Sequence, residues 1–236
     1  MSKIIFIIFV AVVIVAAIYY EKRRGDDMSQ LAKQLGFDFH PGQHRLPVEL
    51  DEAGFDLFTQ GPPNIRNRMH GMRGSLEITL FDFSYAATTA GEGQRSHPVA
   101  DDYNNIETRN QSVVWIRSTQ SLPDFDLSPR RIHRRSVASR FGLQQVTFDG
   151  NDRFNQQHIL LARDGERVRA LFNQALFDFL AEHPHLVIES RGQNALIYRF
   201  EKLPDPTSVP RFLDDAVGLL ELFQQSAGKS LNRREN

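Results

Sequence analysis

Positions 4–20 read IIFIIFVAVVIVAAIYY, seventeen residues without a charge, an amide or a hydroxymethyl group. As a helix this run spans roughly 26 Å against a hydrocarbon core of about 30 Å, so it predicts a transmembrane anchor. Tyr19 and Tyr20 fall where an interfacial aromatic belt sits, and Lys22, Arg23 and Arg24 follow them as membrane-interface anchors. A cleaved secretory signal would need a short apolar run and a small-residue cleavage site. Val15-Ala16-Ala17 supplies small residues, but Ile18-Tyr19-Tyr20 prolongs the run, which favours an uncleaved span. Lys3 is the one basic residue before it. The more basic flank stays in the cytoplasm, so the remaining chain is expected to face that compartment.

Beyond the anchor, Met28, Leu31, Ala32 and Leu35 form a helical stripe, with Asp26 and Asp27 as caps and Gly36 as the stop. Short strands are expected near 37–39 and 55–58, among the breaks at Pro41, Gly42, Pro47 and Gly54. From 76 the period changes to two, Leu76, Ile78 and Leu80 alternating with Glu77 and Thr79. At Phe81 the phase flips, and Phe81, Phe83 and Tyr85 alternate with Asp82 and Ser84. Such a flip marks a bulge or a strand buried on both faces. Residues 86–110 show no period and read as a long connection. Residues 111–119 read as a central strand around Val113, Val114, Trp115 and Ile116, ended by Leu122-Pro123. Further strands are expected at 143–148 and 158–162, a helix over 165–182, and a hairpin of 186–189 with 195–200 around Arg191-Gly192-Gln193. A last helix begins after Thr207 or Ser208, with Pro210 in its first turn, and buries Phe212, Leu213, Val217, Leu220 and Phe223.

Strands and helices mix without a repeating βα unit, which predicts an α+β fold: an N-terminal transmembrane helix, then a mostly antiparallel sheet with packed helices. The soluble part is placed at 27–226, as one core or as halves at 27–142 and 143–226, with a flexible tail at 227–236. With 28 Lys and Arg against 29 Asp and Glu, the net charge of −1 argues against a nucleic-acid partner. The absence of cysteine excludes disulfides, cysteine zinc sites, iron–sulfur clusters and thiol catalysis.

Motifs for chemistry are weak. Gly228-Lys229-Ser230 imitates the end of a phosphate-binding loop, but Phe223 stands where the motif needs glycine. Gly91-Glu92-Gly93 lacks a strand-to-helix setting. His40 and His44 have the spacing of a helical metal pair, with Pro41 and Gly42 between them to preclude the helix. His183 and His185, beside Glu182, lack a third well-spaced ligand. No G-x-S-x-G elbow exists. Carboxylate pairs could be drawn from Asp82, Asp101, Asp102 or Glu107, and Asp82 reads first as a solvent-facing member of its alternating strand. No cofactor or metal is expected, and no catalytic residue can be named. One charge cluster stands out: Arg130, Arg131, Arg134 and Arg135, with Arg140 nearby. Its plain reading is the solvated face of a short helix whose Ile132, Val137 and Phe141 point inward. Its functional reading is contact with anionic lipid headgroups, each arginine contributing about 1 kcal/mol near the surface.

Several strings carry a resemblance: the anchor with its basic stop, Leu35-Gly36-Phe37, Gly71-Met72-Arg73-Gly74, Leu80-Phe81-Asp82-Phe83-Ser84-Tyr85, and Leu122-Pro123-Asp124-Phe125-Asp126-Leu127-Ser128-Pro129. Together with Tyr198-Arg199 and the closing helix, the chain resembles an uncharacterised family of bacterial single-pass membrane proteins. At Phe83 that family more often has tyrosine. The resemblance implies anchoring in the bacterial inner membrane and no particular activity, ligand or partner. The expectation is thus a non-enzymatic, membrane-anchored cytoplasmic domain that binds a protein partner or the anionic membrane surface. The competing expectation is an enzyme with its site near the 86–110 loop.

Overall fold

The structure, a computed structural model, describes residues 2–88, 106–131 and 142–232. Helix α1 (Ser2–Leu35) is one uninterrupted rod of 34 residues, about 51 Å long. The stripe of Met28, Leu31 and Ala32 is therefore the end of the anchor helix, and no capped restart occurs at Asp26 or Asp27. The apolar half is uncovered by the rest of the protein, whereas the last two turns are buried against the sheet. Gly36 (φ 70°) stops the helix. The Phe37 amide reaches back to the Ala32 carbonyl at 2.8 Å, the long bond of a Schellman stop.

The seven strands are β1 (Asp38–His44), β2 (Asn64–Arg73), β3 (Leu76–Thr88), β4 (Ile106–Pro129), β5 (Gln144–Val146), β6 (His158–Ala162) and β7 (Leu186–Arg199). They form one sheet in the order β1-β2-β3-β4-β6-β5, with β7 on the other edge of β4, and every pairing is antiparallel. The 24-residue β4 is the spine: β3 lies along its first half, β6 along its second, and β7 along both. The strands at 38–88 and those at 144–199 thus meet in a single sheet through β4. The sheet predicted from alternation is present, with helices packed on it.

Five local expectations are corrected. The strand sought near 55–58 is a 3-10 turn (Asp56–Thr59), because the Asp56 and Leu57 amides donate to the Glu189 carboxylate instead of to a neighbouring strand. The connection expected at 86–110 is shorter, since Ala86, Ala87 and Thr88 pair with Thr108, Glu107 and Ile106. Leu122-Pro123 does not end β4. The register shifts on both sides of Leu122, and a proline is tolerated at such a bulge, where no ladder donor is needed. The expected hairpin of 186–189 and 195–200 is instead the continuous β7. Its Gly192 (φ 59°) stands opposite Leu122, so the positive φ serves a bend in a two-stranded ribbon. The helix expected over 165–182 is two, α4 (Gly165–Arg169) and α5 (Gln174–Glu182). Asn173 separates them by capping the Leu176 amide at 3.1 Å while donating to Ser226 at 2.7 Å.

Both sheet faces are covered. On one, Ile78, Leu80, Val114, Ile116, Phe125 and Leu127 pack with α1, α4, α5 and α6 (Val209–Asn232). On the other, Phe81, Phe83, Tyr85, Val113, Leu196 and Tyr198 pack with α2 (Val48–Glu52) and the 3-10 turn. This explains the phase flip at Phe81: β3 keeps its register with β4 throughout and is buried on both faces. The bulge lies in the facing strand β2, between Arg66 and Met69, where Asn67 holds φ 49°. Helix α6 runs on through Asn232, so of the tail expected at 227–236 only 233–236 falls outside the described residues.

Candidate membrane-facing site

Alternation placed Asp82 toward solvent. With both faces of β3 covered, it points instead at α1, and Arg24 meets it there. Arg24 Nε and Nη2 donate to Asp82 Oδ2 and Oδ1 at 2.7 and 2.8 Å, a bidentate pair. The remaining lone pairs are taken by Asn67 Nδ2 at 2.9 Å and Ser112 Oγ at 2.6 Å. Arg24 Nη1 donates to the Pro204 carbonyl at 2.8 Å, and Nη2 also reaches Ser112 Oγ at 3.2 Å. The two side chains are 18% and 10% exposed. Arg24 therefore belongs to the folded core, correcting its assignment to the membrane interface, and it fastens the anchor helix to β2, β3, β4 and the segment after β7. Tyr19, Tyr20, Lys22 and Arg23 are exposed on α1.

Direction along the sheet follows from these contacts. Glu21 pairs with Arg66 of β2, Arg24 with Asp82, and the Phe37 ring lies over Gly71, where no side chain would fit. The course of β3 from Ile78, opposite Gly71, to Asp82 thus runs back along α1, so its Thr88 end points toward the apolar half of that helix.

Beside this junction opens a cleft of about 700 Å³ lined by Pro129, Arg131, Gln156, Gln157, Pro184, His185, Arg199, Phe200 and Lys202. The bend of the β4–β7 ribbon brings the two ends of β7 together here. His183, before the strand, and Arg199, at its end, both lie against Asp215 of α6, at 3.4 and 3.3 Å. Of the sequence cluster, Arg131 lines the cleft, while Arg130 is turned to the Asn155 carbonyl of α3 (Asp152–Gln157) at 2.9 Å. Arg134, Arg135 and Arg140 lie outside the described residues. Lys202 was not singled out by sequence, whereas His185 was weighed only as a metal ligand and Arg199 only as part of a resembling string. They are scattered single charges, and only the ribbon's bend gathers them.

A second polar cluster lies on the other sheet face. Asp126 and Glu189 are cross-strand neighbours, both buried, with Arg191 Nη1 2.7 Å from Asp126. Glu189 accepts from the Asp56 amide at 2.5 Å, the Leu57 amide at 3.2 Å and the Tyr198 hydroxyl at 2.7 Å. Burial and then the Glu189 charge push the Asp126 carboxyl up to about 7, against the pull of Arg191. His158, stacked on Phe154, is pushed down by burial to about 4. Neither Asp126 nor His158 lines the cleft, and neither belongs to the described ends of the 86–110 segment. Among the described residues no group of His, Asp and Glu could hold a metal ion.

These two groups set opposed pH dependences. Asp126 binds more protons folded than unfolded between pH 3.8 and about 7, so its contribution to stability is full below 3.8 and is lost as pH rises through 7. His158 binds fewer protons folded than unfolded between about 4 and 6.5, so its contribution is full above 6.5 and lost on acidification. The slopes, each about 1.4 kcal/mol per pH unit, cancel over the shared range. Urea titrations from pH 5 to 8 should then show His158→Phe gaining stability on the acid side. Asp126→Asn should remove the decline above pH 6.5. Parallel profiles for wild type and both variants would contradict this assignment.

No protein-family model matches the chain, and none of the curated proteins does. Among solved structures, the fold is similar to the crystal structure of the mycobacterial trehalose monomycolate transport factor A, TtfA. The TM-score is 0.57 at 11% sequence identity, over 86% of this chain and 93% of that one. At this identity the likeness establishes a shared fold.

Proposed function

We propose that the protein is a non-enzymatic interaction module of the bacterial inner membrane, anchored uncleaved by α1, facing the cytoplasm, and holding its sheet in a fixed pose for a protein partner at the anionic leaflet. The observation that carries this reading is the Arg24–Asp82 junction, which makes the anchor a structural part of the domain and not a flexible leash. A leash would only raise local concentration, whereas a rigid mount fixes which surface faces the bilayer and which faces a neighbour. TtfA is named as a transport factor, which supports a part in transport for this chain. The resemblance to single-pass bacterial proteins and the excess of Lys22, Arg23 and Arg24 over Lys3 support the location and the orientation.

The cysteine-free chain makes orientation simple to test. A single Arg167→Cys, at an exposed position on α4, should resist a membrane-impermeant maleimide in intact cells and react after permeabilisation. Labelling in intact cells would overturn the cytoplasmic placement. In-cell cross-linking of the full chain, read by mass spectrometry, should recover a recurring protein partner. Partner-free chains across replicate captures would overturn the interaction module.

A further inference from the structure

Resting on the membrane-surface reading above, we infer that the cleft between the end of β4, α3 and the segment after β7 binds the phosphoryl group of an anionic phospholipid. Arg131, His185, Arg199 and Lys202 approach it from three separate segments, and among the described residues no carboxylate lines it. One of these cations is partly neutralised, since Arg199 also meets Asp215, which leaves Arg131 and Lys202 as the principal anion-binding groups. Pro129, Pro184 and Phe200 supply apolar wall beside the charges, and the adjoining Leu203 is 40% exposed. Outside α1, the exposed large apolar side chains among the described residues are Val48, Met72 and Leu203. A cleft that offers cations within and an apolar lip at its mouth suits an amphiphile better than a free ion.

Position argues the same way. Lys202 is two residues from Pro204, whose carbonyl is held by Arg24, and Arg24 is four residues beyond Tyr20. Four helical residues rise about 6 Å, the Arg24 side chain with its hydrogen bond spans about 10 Å, and two extended residues reach about 7 Å, so Lys202 stands within roughly 23 Å of the end of the apolar span. The headgroup zone and a Debye length of about 8 Å together extend over roughly the first 15 Å of that path.

The test uses the full chain in a non-ionic detergent, with lipid retention read by native mass spectrometry. One phosphatidylglycerol per chain should be retained, at least tenfold more tightly than phosphatidylcholine. Lys202→Gln and Arg131→Gln should each reduce that retention about tenfold, while Arg167→Gln on exposed α4 leaves it unchanged. Circular dichroism of each variant confirms that the fold persists. Equal retention of the two lipids, or of phosphatidylglycerol by wild type and the cleft variants, would overturn the site. Displacement of the lipid by inorganic phosphate at equal concentration would assign the cleft to free phosphate and overturn its lipid ligand. The readout is independent of membrane orientation and of any protein partner, so it can fail while the interaction module stands, and the reverse.

Discussion

Arg24→Ala is expected to lower the stability of the full chain by about 3–5 kcal/mol, because it strands the Asp82 carboxylate in a covered site. For a chain of this size that is a fall of roughly 10 °C in Tm, measured by circular dichroism in detergent micelles. Asn67 and Ser112 would still donate to Asp82, but two neutral hydrogen bonds do not replace a bidentate guanidinium. Asp82→Asn should cost less, since the amide oxygen still accepts one of the Arg24 bonds. The informative variant is the double one. Removing both charges, as Arg24→Met with Asp82→Leu, should recover most of the loss, because the desolvation of the pair disappears with it. A double variant as unstable as Arg24→Ala alone would mean that the junction acts through shape and not through charge.

Glu189→Ala is the second large effect, again about 3–5 kcal/mol, and here the loss is local first. Three donors converge on Glu189: the Asp56 and Leu57 amides and the Tyr198 hydroxyl. Without the carboxylate the 3-10 turn at Asp56–Thr59 loses its attachment to β7. Hydrogen exchange should therefore show the Asp56 and Leu57 amides opening well below the global unfolding free energy, with the β3 and β4 amides still protected. Glu189→Gln, which keeps one acceptor, should fall between the two. Uniform acceleration of exchange across the sheet would contradict a local role. Either substitution also removes a charge that raises Asp126, so the Asp126 carboxyl should titrate below about 7.

What could be read from the sequence was whatever depends on short-range periodicity. The apolar run at 4–20, the Gly36 stop, the two-residue period of β3 and the amphipathic α6 each follow from neighbours on the same element. What failed was whatever depends on a distant partner. Arg191-Gly192-Gln193 has hairpin chemistry, yet the same positive φ fits a bulge, and only the facing Leu122-Pro123 decides between them. Asp82 looked solvent-facing because alternation assigns a polar position to water unless something fills the other face, and the residue that fills it lies 58 positions earlier. Residues 55–58 looked like strand for the same reason, the acceptor of the Asp56 and Leu57 amides being Glu189, more than 130 residues on. At the cleft, the local run of arginines was visible and yielded Arg131. Lys202 gave no signal, and His185 and Arg199 gave none for anion binding, because a charge cluster built by a bent ribbon leaves no cluster in the chain.

The Arg24 junction also orders events during synthesis. Its partners Asp82, Ser112 and Pro204 are made 58, 88 and 180 residues later. At about 5–20 residues per second, the last of them leaves the ribosome roughly 10–40 s after Arg24. Early in that interval Met28, Leu31 and Ala32, buried in the finished protein, await Phe37, Met69 and Leu76, which pack with them. The lipid surface is the nearest place for that stripe to wait. A nascent chain would then lie along the bilayer before it stands up from it, and the arrival of Pro204 would complete the change.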